Sequence, residues 1–192
     1  NNNLYKPFFP DGPSSNYSYR LRFFGDKLYM LPGGRWATQL TRFGEIMIYD
    51  NGEWTNIKNG KLVEQANHAI YDVMNVAQDP KDPQHYFVTT YGTGMLEMRA
   101  DSVVKLFLPN NSDLQSAAAN NPDNYTRTDG AMFDEQGNLW VLNMGNIDYN
   151  VHVINTKGDW YHLELYYNNT RIPIYTAGEI MVDRRNSQWK WI

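Results

Sequence analysis

The 192-residue chain contains no cysteine, which excludes a disulfide framework, a thiolate zinc site and a cysteine nucleophile but says little about compartment. Basic residues are in the minority, with 17 Lys and Arg against 21 Asp and Glu and a formal net charge of −4, and they do not cluster. Such a surface offers no electrostatic footprint to a phosphate backbone or an anionic leaflet, so neither nucleic acid nor membrane is an expected partner. Long apolar runs are also missing: none approaches the roughly 20 residues that a membrane-spanning helix needs. The opening Asn1-Asn2-Asn3-Leu4 lacks Met and any signal-peptide pattern, and both ends read as cuts in a longer protein. No window holds a 3.6-residue apolar period. The one helix-friendly stretch, Leu114 to Ala119, is short and runs into Asn120-Asn121-Pro122.

What is present is aromatic and repetitive. Apolar residues make up 42% of the chain and aromatics 15%, enough for a folded core. One phrase recurs as Lys27-Leu28-Tyr29-Met30-Leu31, His85-Tyr86-Phe87-Val88-Thr89, Asn138-Leu139-Trp140-Val141-Leu142 and Lys190-Trp191-Ile192, with its aromatics 58, 53 and 51 residues apart. Asp50-Asn51-Gly52-Glu53-Trp54 returns as Thr156-Lys157-Gly158-Asp159-Trp160, the tryptophans 106 residues apart, or two periods of 53. A period of this length that holds several strands is the mark of a β-propeller blade. The expected fold is all-β: a partial propeller with about three four-stranded blades, at 19–57, 68–107 and 128–165, and the start of a fourth at 174–192. Residues 1–18 read as an N-terminal arm.

Each repeat parses as a meander of strands a, b, c and d. In the third, strand a ends at Phe133, Asp134-Glu135-Gln136-Gly137 forms a type I turn, and strands follow at Leu139–Asn143, Val151–Asn155 and Trp160–Leu165. The a-b and c-d links are tight. The b-c links 32–44 and 144–150 and the d-a links 58–67 and 108–126 are long, which places function on the d-a/b-c face. The loop residues Arg35, Trp36, Tyr91, Asn143, Asn146, Asp148 and Tyr149 are the candidate ligand contacts, because aromatic faces flanked by amides suit sugar rings or peptides.

Other chemistry finds little support. Asp129, Asp134 and Glu135 are close in sequence, as a glycosidase pair would be, but the turn already explains Asp134. The run Asp134-x-x-Gly137-Asn138-Leu139-Trp140 also resembles the Asp-box of sialidase-like propellers, which is a structural turn. His68, His85, His152 and His162 show no metal-ligand spacing, and no nucleophile elbow or phosphate loop exists. Gly92-Thr93-Gly94 stands between two strands and reads as a b-c hairpin, not a dinucleotide motif. No catalytic residue, metal or cofactor is expected. Four Asn-x-Ser/Thr sequons, from Asn16, Asn110, Asn124 and Asn168, are attributed to the abundance of asparagine.

His85 to Glu97, Asp134 to Asn143 and Trp189-Lys190-Trp191-Ile192 resemble the blades of PorZ-like proteins, surface components of the bacterial type IX secretion system, and the related two-component-regulator propeller repeats of hybrid sensor kinases. The resemblance runs from about Tyr19 to Ile192. It implies a non-enzymatic binding or scaffold module of an exported bacterial protein, periplasmic or at the cell surface, with a glycan, lipopolysaccharide or protein as partner. The alternatives are a periplasmic glycan-sensing domain in signal transduction and, from another class, a propeller glycosidase or lyase. Kinase-sensor repeats usually carry Trp-Ile-Gly-Thr in strand b, whereas this chain has Trp140-Val141-Leu142-Asn143, which favours the secretion protein. Strand edges left open by an incomplete ring are an expected route to a homodimer.

Overall fold

Alternating side chains decide how this chain packs. The computed structural model describes residues 10–35, 40–145, 147–183 and 185–192. The first blade is an antiparallel meander of β1 (Arg20–Phe24), β2 (Lys27–Leu31), β3 (Ile46–Asp50) and β4 (Glu53–Ile57). The second runs through β5 (Val73–Asp79), β6 (Asp82–Gly92), β7 (Met95–Arg99) and β8 (Ser102–Phe107), and the third through β9 (Thr126–Phe133), β10 (Leu139–Met144), β11 (Val151–Ile154) and β12 (Trp160–Leu163). After a small hairpin of β13 (Tyr166–Tyr167) and β14 (Thr170–Arg171), β15 (Met181–Val182) pairs with β16 (Lys190–Trp191) to open a fourth unit. The fold is all-β and a partial propeller.

The core lies between blades, and successive residues of a strand feed different sides of it. Tyr86 and Val88 of β6 join Tyr29, Leu31, Ile46, Val73 and Val76 between the first and second blades. Phe87, between them, joins Phe107, Leu139, Val141 and Ile154 between the second and third. Leu142 and Met144, past the register shift in β10, pack with Val151 and Ile180 toward the fourth unit. Strands buried on both faces explain why the b strands read as near-continuous apolar runs.

The turns match their chemistry. Asp134 Oδ1 accepts from the amides of Gln136 and Asn138, at 3.0 and 2.8 Å, and Gly137 takes φ +86°. The Gly92-Thr93-Gly94 segment joins β6 to β7 as a hairpin; a β-carbon on Gly94 would lie 2.1 Å from the Phe107 carbonyl oxygen, and its φ of +74° also favours glycine.

One feature differs from expectation. The 58–67 link holds a helix, α1 (Asn59–Ala66), whose Leu62 is buried in the first inter-blade core. Its eight residues are too few to show a sequence period, and tertiary packing supports them. Leu114 to Ala119 is not helical, because the amide and carbonyl of Gln115 are both taken by the Asn143 side chain, at 2.6 and 3.0 Å. A single turn, α2 (Pro122–Tyr125), forms just beyond it, with Pro122 at its start. The described part of the arm, from Pro10, is not a strand: Asp11, Gly12 and Ser14 bond Trp54 and Asn56 of β4.

Candidate functional site

Inner strands of a propeller meet at its axis, and here they bring charge with them. The period of two in β1 sends Arg20 and Arg22 to one side of the strand and Leu21 and Phe23 to the other. Arg20 reaches Asp129 Oδ1 of β9 at 3.3 Å and the Gly178 carbonyl at 3.0 Å. Arg22 donates from Nε to Asn75 Oδ1 of β5 at 2.7 Å. Glu179 accepts from both arginines. Arg35 enters from the b-c loop of the first blade, pairs with Asp129 Oδ2 at 3.4 Å and donates to the Thr176 carbonyl at 2.9 Å.

Three guanidiniums thus surround two carboxylates and tie all four units together. Asp129 is fully buried. Burial is the largest influence on it and, with a smaller push from Glu179, raises its carboxyl to about 6 against the pull of Arg20 and Arg35. Asp129 Oδ2 and Asn75 Nδ2 are buried without hydrogen-bond partners. Glycine permits the close approach at the axis: a β-carbon on Gly130 would meet the Ile180 nitrogen at 2.7 Å.

The predicted contact residues separate into distinct groups. Arg35 and Arg127 both lie over the Tyr91 ring, at 5.5 and 4.9 Å from its centroid, and Arg127 is also 5.4 Å from that of Tyr125. Asp148 and Tyr149 sit on the third blade, where their amides donate to Gln115 Oε1 at 2.9 and 3.1 Å. Tyr149 stacks on His162 at 3.6 Å, and His162 and the buried His152 share Asp113 Oδ2, at 2.9 and 3.2 Å. Asn143 is not an exposed loop residue. It belongs to β10, is fully buried, and commits its amide to Gln115 and the Arg127 carbonyl; a polar residue at the end of an apolar run reads as exposed, whereas here it is a buried position within the strand. Trp36 and Asn146 lie outside the described residues.

Sequence reasoning missed Arg20, Arg22, Asn75, Arg127 and Glu179. The one available signal was Arg20-Leu21-Arg22, two cations on one face of a strand next to the axis. At the other end of the axis, a cavity of about 1030 Å³ opens among Arg22, Phe23, Ala77, Phe133, Glu179 and Trp191. Asp134 borders it, but its oxygens are committed to Asn138 and Trp140. Burial would raise its carboxyl, and these bonds outweigh burial and hold it below the usual range. Among the described residues no group of three or more His, Cys, Asp or Glu is arranged to hold a metal ion.

This architecture, with four-stranded meanders packed face to face around a charged axis, defines a segment of a β-propeller. In particular, it is similar to PorZ, an essential bacterial surface component of the type-IX secretion system of Porphyromonas gingivalis, with a TM-score of 0.81 and 23% sequence identity. The similarity covers 94% of this chain and 24% of PorZ, so the chain spans about a quarter of that protein's length. No protein-family model matches the chain, and no curated protein matches it.

Proposed function

We propose that the chain is a non-catalytic binding or scaffold module of an exported bacterial protein, a PorZ-like component of a type IX secretion system. The observation that carries this reading is the likeness to the PorZ fold over nearly the whole chain. The axis supports a non-catalytic role: Asp129, whose raised carboxyl would otherwise suit acid–base chemistry, is sealed from solvent and held by Arg20 and Arg35. Its neighbours bind strands to one another and, among the described residues, leave no free acid–base pair beside it. On this reading a glycan, lipopolysaccharide or protein partner meets the d-a/b-c face, where Arg127, Tyr91 and Tyr125 offer cationic and aromatic surface beside the mostly buried Arg35, with Asp148 and Tyr149 farther out. No helix among the described residues is long and apolar enough to cross a membrane.

The test is fractionation of the source bacterium with an antibody to this chain, combined with protease digestion of intact cells. Recovery in the periplasm or at the surface is the expected result; confinement to the cytosol would overturn the reading. Hydrolysis of a polysaccharide that disappears on Asp129→Asn would overturn the non-catalytic part.

A further inference from the structure

The second and third blades diverge away from the axis on the a-b/c-d face and leave a cleft of about 510 Å³ between them. That volume falls in the range of small-molecule pockets, roughly 300–1,000 Å³. Four aromatic rings run along its wall in the order Phe133, Phe87, Phe107 and Trp160, with successive centroids 5.9, 6.2 and 5.5 Å apart. Phe87 and Phe107 are buried, whereas Phe133 and Trp160 keep part of their surface exposed at the cleft.

Three lysines from three separate segments converge on the same space: Lys81 from the a-b turn of the second blade, Lys105 from β8 and Lys157 from the c-d turn of the third. None has a carboxylate within 4 Å among the described residues. The two acids of the cleft are otherwise engaged, since His85 stands between them with Nδ1 3.1 Å from Asp79 Oδ2 and Nε2 2.9 Å from Glu97 Oε1. Lys105 lies 4.5 Å over the Phe107 ring. Gly137 makes room for the meeting of blades: a β-carbon there would be 3.2 Å from Thr156 Cγ2 and 3.7 Å from Lys81 Nζ. Three lysines against two carboxylates leave the lining net positive, and ammonium groups without a direct carboxylate partner along a low-dielectric wall favour an anion.

We propose that this cleft is a binding site for a small carboxylate carried on a flat ring, with the ring face against Phe133 and Trp160 and the carboxylate among Lys81, Lys105 and Lys157. An aromatic acid and a sugar acid share that chemistry, because both an aryl ring and the apolar face of a pyranose stack on aromatic side chains. The site lies on the face opposite Arg35 and Tyr91 and stands independently of the secretion reading.

The test is calorimetric titration of the full chain with 2-naphthoate, with digalacturonate and with neutral 2-naphthamide. The variants are Lys81→Gln combined with Lys157→Gln, and Lys58→Gln as an exposed control outside the cleft. Lys81 and Lys157 are both exposed, so the double variant keeps its fold, which an unchanged melting temperature checks. The expected result is binding of at least one acid, weakened about tenfold or more in the double variant and unchanged in the control. Binding should also weaken as salt rises. Binding of naphthoate alone assigns the site to aromatic acids, and of digalacturonate alone to sugar acids. Failure of both acids to bind at millimolar concentration would overturn the proposal, as would equal affinity for the amide or an unchanged affinity in the double variant.

Discussion

Asp129 shows how one buried carboxyl links stability to pH. Its carboxyl sits at about 6, above the ordinary 3.8 that it regains on unfolding. The folded state therefore binds the proton more tightly, and Asp129 contributes stability that is fully present below about 4 and is lost as pH rises through 6. The gap corresponds to roughly 3 kcal/mol. Urea denaturation at pH 4.5 and 7 should show the wild type gaining on Asp129→Asn at the lower pH; a difference that does not move with pH would contradict the burial argument. Trp140 offers a second test. Its Nε1 donates to Asp134 at 2.8 Å, its ring lies under Lys190, and it packs against the core shared with the fourth unit. Trp140→Ala should cost about 3 kcal/mol and Trp140→Phe, which keeps most of the packing, about 1. Thermal or urea unfolding of the two variants separates the packing contribution from the hydrogen bond.

Elements were legible where local chemistry decides them. The type I turn at Asp134, the hairpin at Gly94 and the third-blade strands follow from side-chain preferences that act within a few residues. The helix α1 did not, because it has no side-chain cap and only Leu62 fully buried, so its existence depends on the core of another segment. Leu62→Ala should therefore cost about 3 kcal/mol, leave a cavity in the first inter-blade core and unravel the helix. Hydrogen exchange would show the amides of residues 61–66 losing protection ahead of β5 to β8. The hairpin of β13 and β14 was also overlooked; Asn168 and Asn169 both adopt positive φ, at 48° and 60°, as a type I′ turn requires.

At the scale of the whole molecule, apolar side chains stay exposed on the innermost strand of the first blade and on the fourth unit, some of them around the same axial cavity. Leu21 and Phe23 of β1 are 51% and 66% exposed, and Trp189, Trp191 and Ile192 near the fourth unit are also exposed. Propellers normally cover such surfaces by packing blade on blade. The 192-residue chain is expected to self-associate in the micromolar range through these exposed apolar side chains, with a two-chain ring as one geometry. Sedimentation velocity across that concentration range checks this, and a monomer at every concentration would refute it. A Phe23→Lys variant should shift the equilibrium toward monomer.

The sequence by itself determined the repeat, the strand alternation and the turns, because a blade is a local meander whose apolar residues and turn residues recur every 50-odd positions. It also determined that Asp134 is a turn residue, since an Asp three residues before Gly at the end of a strand has a nearby amide to cap. Only the tertiary structure decided that Arg20, Arg22, Arg35, Asp129 and Glu179 share one axis, and that Lys81, Lys105 and Lys157 share one cleft. Those residues lie up to 159 positions apart, and no local preference marks them. Their meeting follows from the angle at which one blade packs on the next, which the combined shapes of the inter-blade cores set.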